Sequence, residues 1–64
     1  INMTKQIQII AANALRVLDL CQDIASDEYS AKGVNRRLDR MESLIGDMDA
    51  ALGSIKPYEE DNNA

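Results

Sequence analysis

The stretch from Ala31 to Ile55 constrains this chain most. Its apolar residues Ala31, Val34, Leu38, Met41, Ile45, Met48, Leu52 and Ile55 recur at alternating steps of three and four without a polar interruption. That spacing averages 3.5 residues, the period of a helix that lays an apolar seam along another helix. With Leu38, Ile45 and Leu52 at the heptad a position, Val34, Met41, Met48 and Ile55 fall at d. The residues between them are mostly charged, small or polar, and the alternation by two that a half-buried strand requires is missing.

A second run precedes it. Ile7, Ile10, Ala14, Val17, Cys21 and Ile24 repeat the spacing of three and four, and Ala11, Leu18 and Ala25 widen the stripe on one side. Gln8, Asn13, Arg16, Asp19 and Asp23 make the polar face expected of this helix. A stripe that wide can serve more than one neighbour. The small residues Ala11, Ala14, Cys21 and Ala25 allow a close approach, near the low end of the usual ~8–10 Å between packed helices.

The two runs predict helices over about 5–26 and about 31–55, joined by a turn at about 27–30. Ser26, Asp27 and Ser30 compete with helical hydrogen bonds through their side chains. Thr4 is the expected cap of the first helix, and Ser30 or Asp27 that of the second. Gly53 with Pro57 beyond it offers a left-handed C-cap. Gly46 and Gly53, seven apart beside the seam, would also admit a neighbouring backbone. One continuous helix of about 50 residues, roughly 75 Å long, is the alternative, because no proline stands in the turn. Residues 1–56 are thus expected to form one helical hairpin, and 57–64 a disordered acidic tail. Ile1 and Asn2 precede Met3, which is one candidate for the native start.

Sixty-four residues form one small domain at most, and a chain this short buries only about 60% of its unfolded surface. Small scaffolds compensate with disulfides, a metal or oligomerisation. This chain has one cysteine and no histidine, so oligomerisation is expected. The fold class is therefore all-α: an antiparallel helical hairpin that dimerises into a four-helix bundle. A tetramer or a heteromeric bundle uses the same pattern. The oligomer seam comprises Ile7, Ile10, Ala14, Val17, Cys21 and Ile24 from the first helix. From the second it takes Val34, Leu38, Met41, Ile45, Met48, Leu52 and Ile55.

In form the chain resembles Rop and, in style, the small helical accessory proteins of temperate phages. The basis is two heptad-patterned helices over Thr4–Leu52, an acidic balance and a short polar tail. The resemblance implies hairpins that pair into a four-helix bundle, and binding of paired RNA loops. The aromatic of Rop's RNA face has no counterpart, since this chain lacks phenylalanine and its two tyrosines fall in the turn and the tail.

The charge argues against nucleic acid as the first partner. The chain carries a net −4, which does not steer it toward phosphates. Residues 30–40 depart from this: Lys32, Arg36, Arg37 and Arg40 against Asp39 give a local +3. Such a row can hold phosphates or an acidic protein surface. The only special nucleophile, Cys21, falls on the apolar stripe with no histidine to activate it, and a small buried residue is the expected role. No catalytic set, metal site or cofactor motif is legible. No apolar run reaches the roughly 18 residues that span a bilayer, and no signal segment is legible. A cytoplasmic location is the expectation. The leading reading is a non-enzymatic adaptor or regulator, plasmid- or phage-encoded in style, that pairs with itself and binds a protein partner. Leu15, Leu20, Leu44 and Ala51, outside the strict seam, are the candidate second contact. The alternatives are a nucleic-acid regulator built on the arginines, and an oligomerisation segment of a larger protein.

Overall fold

The structure is a computed structural model that describes residues 2–59. Helix α1 spans Met3–Ala25 and helix α2 spans Ala31–Ile55. They pack against each other as an antiparallel hairpin, so a single continuous helix is ruled out.

The local chemistry sets the ends. Asn2, not Thr4, caps α1: its extended backbone turns the side chain back to accept from the Lys5 amide at 3.1 Å. Helix α1 stops at Ala25. There the Ser26 amide bonds the Gln22 carbonyl at 3.1 Å, and its hydroxyl donates to the Asp23 carbonyl at 2.6 Å. Asp27 then takes φ 59, the left-handed region that aspartate enters more readily than most residues. That one reversal breaks the helix where no proline or glycine does. Ser30 caps α2, its hydroxyl accepting from the Gly33 amide at 3.3 Å. At the far end α2 continues through Gly53 to Ile55 and leaves through extended Lys56. Gly53 is therefore an interior helical residue, not a left-handed cap. Among the described residues, nothing beyond the neighbouring backbone of α2 comes within 4 Å of a Cβ at Gly46 or Gly53, so neither receives the backbone of α1. Of the acidic tail expected over 57–64, residues 60–64 lie outside the described residues.

The interface between the helices is offset from the sequence seam. Val34, Met41, Met48 and Ile55 lie half-buried in it, and so do Ile10, Val17 and Ile24. The rows beside them differ. On α2 the second inward row is Arg37, Leu44 and Ala51, and Leu38, Ile45 and Leu52 of the expected oligomer seam are exposed; on α1 it is Gln6, Asn13 and Leu20, and Ile7, Ala14 and Cys21 are exposed. Leu44 and Ala51, 2% and 5% exposed, are the buried core of the described residues. Asn13, expected on the polar face, is half-buried, and its amide reaches the Leu44 carbonyl at 3.5 Å. Each helix thus shares its d row with the sequence seam and turns the g row inward. The six residues at a remain on the outside of the hairpin.

No helix of the described residues is long and apolar enough to cross a membrane.

Candidate functional site

The offset gives the hairpin two unlike long faces. The first carries the a rows. Ile7, Ala14 and Cys21 lie along α1 and Leu38, Ile45 and Leu52 along α2, and all six are exposed. Ile10 of α1 with Ile45, Met48, Asp49 and Leu52 of α2 lines a shallow groove between the helices on this side. That groove places the α2 a row beside the shared d rows. In an antiparallel pair equal heptad positions lie on the same flank, so the α1 a row borders the same groove. Ala11, Leu18 and Ala25 extend the apolar surface on α1, and Met3 continues it at the end. On α2 the equivalent flank is Asn35, Glu42 and Asp49, so the face has a polar rim on one edge only. Scattered apolar residues are ordinary on a surface. A row from each of two helices, with large side chains 43–50% exposed, is a contiguous patch of the kind that marks an association site. The cause is geometric: α2 carries apolar residues on three adjacent rows, g, d and a, and one neighbour covers two of them.

Cys21 belongs to this face and is exposed with a free thiol, not buried as its place on the stripe suggested. Of the four residues expected to offer a second contact on the outside, Leu44 and Ala51 are buried and Leu20 is half-buried within the hairpin. Only Leu15, 65% exposed, remains outside.

The opposite face is charged. Leu20, Asp23, Arg36, Arg37 and Arg40 line one shallow groove. A second, with Arg16, Asp19, Leu20, Arg40 and Leu44, adjoins it. The structure brings together Arg36, Arg37 and Arg40 from the sequence cluster, while Lys32 lines neither groove. It adds Arg16, Asp19 and Asp23, which the linear pattern assigned only to the polar face of α1. An antiparallel register carries residues 16–23 past 36–44, and that was the available signal. Four arginines are therefore interleaved with two aspartates, which lowers the potential the cluster would have alone.

Arg37 also has structural work. Its guanidinium lies 3.5 Å from the centroid of the Tyr29 ring and donates to the Gly33 carbonyl at 3.1 Å. A Cβ at Gly33 would meet the Tyr29 Cβ at 3.3 Å, so the turn packs tightly against the start of α2. Stacking of a cation on an aromatic face helps hold that turn. Arg16, Arg36 and Arg40 are the exposed arginines of the group.

No three His, Cys, Asp or Glu side chains among the described residues are grouped as metal ligands would be. Comparison with family models, with curated proteins and with solved structures gives no match.

Proposed function

We propose that this protein is a non-enzymatic adaptor or regulator that works by helix–helix association through its apolar face. One observation carries the reading: the a rows of both helices, Ile7, Ala14 and Cys21 with Leu38, Ile45 and Leu52, lie exposed side by side. Leaving several half-exposed aliphatic side chains in water is unfavourable at about 25 cal/mol per Å² of apolar surface, and a partner helix removes that surface from water. The likeness in form to Rop-type hairpins agrees with such an association. The wide charged face then remains outside, where its arginines and aspartates keep the assembly soluble and available to a further protein.

Nucleic-acid regulation is the competing reading. It is weakened by the engagement of Arg37 with Tyr29 and Gly33 and by Asp19 and Asp23 beside the remaining arginines.

Two titrations test the proposal. Association followed by sedimentation should be lost in Leu38→Asp/Ile45→Asp and should persist from low to high salt. Anisotropy with duplex DNA and hairpin RNA should show no binding that depends on Arg36 and Arg40. Association that survives the two aspartates overturns the proposal. So does tight nucleic-acid binding that falls steeply with salt and disappears in Arg36→Ala/Arg40→Ala.

A further inference from the structure

We infer that the occupant of the apolar face is a second copy of this chain, with α1 of each hairpin laid on α2 of the other. This rests on the reading that the face is an association surface, and it names the partner.

Area is the first argument. A compact chain of 7.1 kDa exposes about 4,100 Å². This chain exposes 5129 Å², roughly 1,000 Å² more, the excess of a whole elongated particle of 55 × 14 × 13 Å, and that excess is of the order of the ~800 Å² that each partner contributes to a standard interface. Two separate copies expose about 10,300 Å², whereas a compact particle of twice the mass exposes about 6,800 Å². The difference, about 3,500 Å², is a ceiling for an elongated bundle. It falls within the ~2,000–5,000 Å² of obligate homodimers.

Shape is the second argument. The face has two unlike halves. Its α1 half carries the small residues Ala11, Ala14, Cys21 and Ala25 around two large ones, Ile7 and Leu18. Its α2 half carries a row of large ones, Leu38, Ile45 and Leu52. Turned through a twofold axis parallel to the helices, the large row of one copy meets the small-residue half of the other, and the reverse contact forms at the same time. A twofold contact needs this self-complementarity, and large residues seated between small ones are how packed helices fill their shared volume. Every neighbour in the resulting bundle is antiparallel, as in up-down bundles.

Charge is the third. The chain is net −4, so a copy of itself is repelled wherever charges meet, and the face avoids this. The α1 half is free of charge, and the only carboxylates at the edge, Glu42 and Asp49, lie on α2. Laying α2 on α1 keeps the two acidic edges apart, whereas α2 on α2 would bring them together.

This arrangement puts both turns at one end of the bundle. Sedimentation of the full chain over a range of concentrations gives the mass. Spin labels at Glu28→Cys, in a Cys21→Ala background, give the distance between turns. The expected result is a dimer with labels within the ~20–25 Å width of two helices. Leu38→Asp/Ile45→Asp is expected to be a helical monomer by circular dichroism. If the double variant is not helical, Ile45→Gln alone is expected to weaken the dimer at least tenfold with helicity retained. A helical wild-type monomer at all concentrations overturns the second copy and leaves the association reading standing, with the face open to another protein. A dimer whose turns lie more than ~35 Å apart, a helix length, overturns the arrangement. A dimer unaffected by the aspartates overturns both the inference and the reading it rests on.

Discussion

Leu44 and Ile45 are neighbours in sequence with opposite fates in the structure, and truncating each to alanine separates the hairpin from its assembly. Leu44 is 2% exposed and Ile45 is 50% exposed. Fully burying a leucine side chain is worth about 1.5–3 kcal/mol, and removing it leaves a cavity cost as well, so Leu→Ala in a core costs about 2–5 kcal/mol. A two-helix layer can collapse around a vacancy more easily than a closed core, which favours the lower half of that range, about 2–3.5 kcal/mol. Ile45 has about half as much to lose in the single hairpin, on the order of 1 kcal/mol, because the other half of its surface is already in water. A domain of this length has roughly 3–10 kcal/mol in total. Leu44→Ala should therefore remove a large share of it and Ile45→Ala a small one.

The assay is urea unfolding by far-UV circular dichroism, with the midpoint and slope fitted at several protein concentrations. At concentrations low enough for single hairpins, Leu44→Ala should shift the midpoint at least twice as far as Ile45→Ala. As concentration rises, the Ile45→Ala deficit should grow, because binding of a partner stabilises the wild type by mass action and the variant less. The Leu44→Ala deficit should stay nearly constant. Equal losses at low concentration would refute the placement of Leu44 inside and Ile45 outside. An Ile45→Ala loss indifferent to concentration would refute the claim that its exposed half meets a partner.

Six further variants at five positions probe the turn and the helix interior. Tyr29→Ala and Arg37→Ala should each destabilise by about 0.5–1 kcal/mol, and a double-mutant cycle by urea melts should show coupling of similar size; additive losses would mean that the stacked pair contributes nothing. At Asp27, whose φ is 59, glycine should raise the thermal midpoint or leave it unchanged. Valine should lower stability by at least ~1 kcal/mol, since a β-branched side chain is strained in that conformation. Gly46→Ala adds a methyl to open space and should stabilise the hairpin by about 1 kcal/mol in urea melts. Gly33→Ala should gain less or lose outright, because its Cβ would press on the Tyr29 Cβ at 3.3 Å.

The helices and the connection were legible because they rest on local chemistry: the step of three and four, and Ser30 as a cap. The sided arrangement was not. On α2 the g row contains Arg37, Leu44 and Ala51, and the a row Leu38, Ile45 and Leu52. By apolar content the a row looks like the interior. The hairpin takes the g row because Arg37 covers the Tyr29 ring with its guanidinium and small Ala51 admits close packing. On α1 Gln6 and Asn13 are tolerated inside, Asn13 through its contact with the Leu44 carbonyl. Periodicity identifies an apolar arc three rows wide and is silent on which two rows the first neighbour covers. The charged face was half legible for a related reason: the arginines of α2 stand together in the sequence, but Arg16, Asp19 and Asp23 reach them only through the antiparallel register.

That choice of rows bears on why the sequence is written this way. Had the hairpin closed on its a and d rows, Leu38, Ile45 and Leu52 would have been spent inside, and Leu44 with Ala51 would have been the outward apolar residues, flanked by Arg40 and Arg37. A surface so interrupted by charge makes a poor helix-packing site. Closing on d and g instead places the polar and charged members of the inner rows, Gln6, Asn13 and Arg37, where the chain itself can satisfy or cover them. The uncharged a rows are left outside. The weaker g rows close the hairpin together with the d rows, and the stronger a rows are left on its outside. A chain whose only task was to fold alone gains nothing from that division; a chain that completes its core with a partner does.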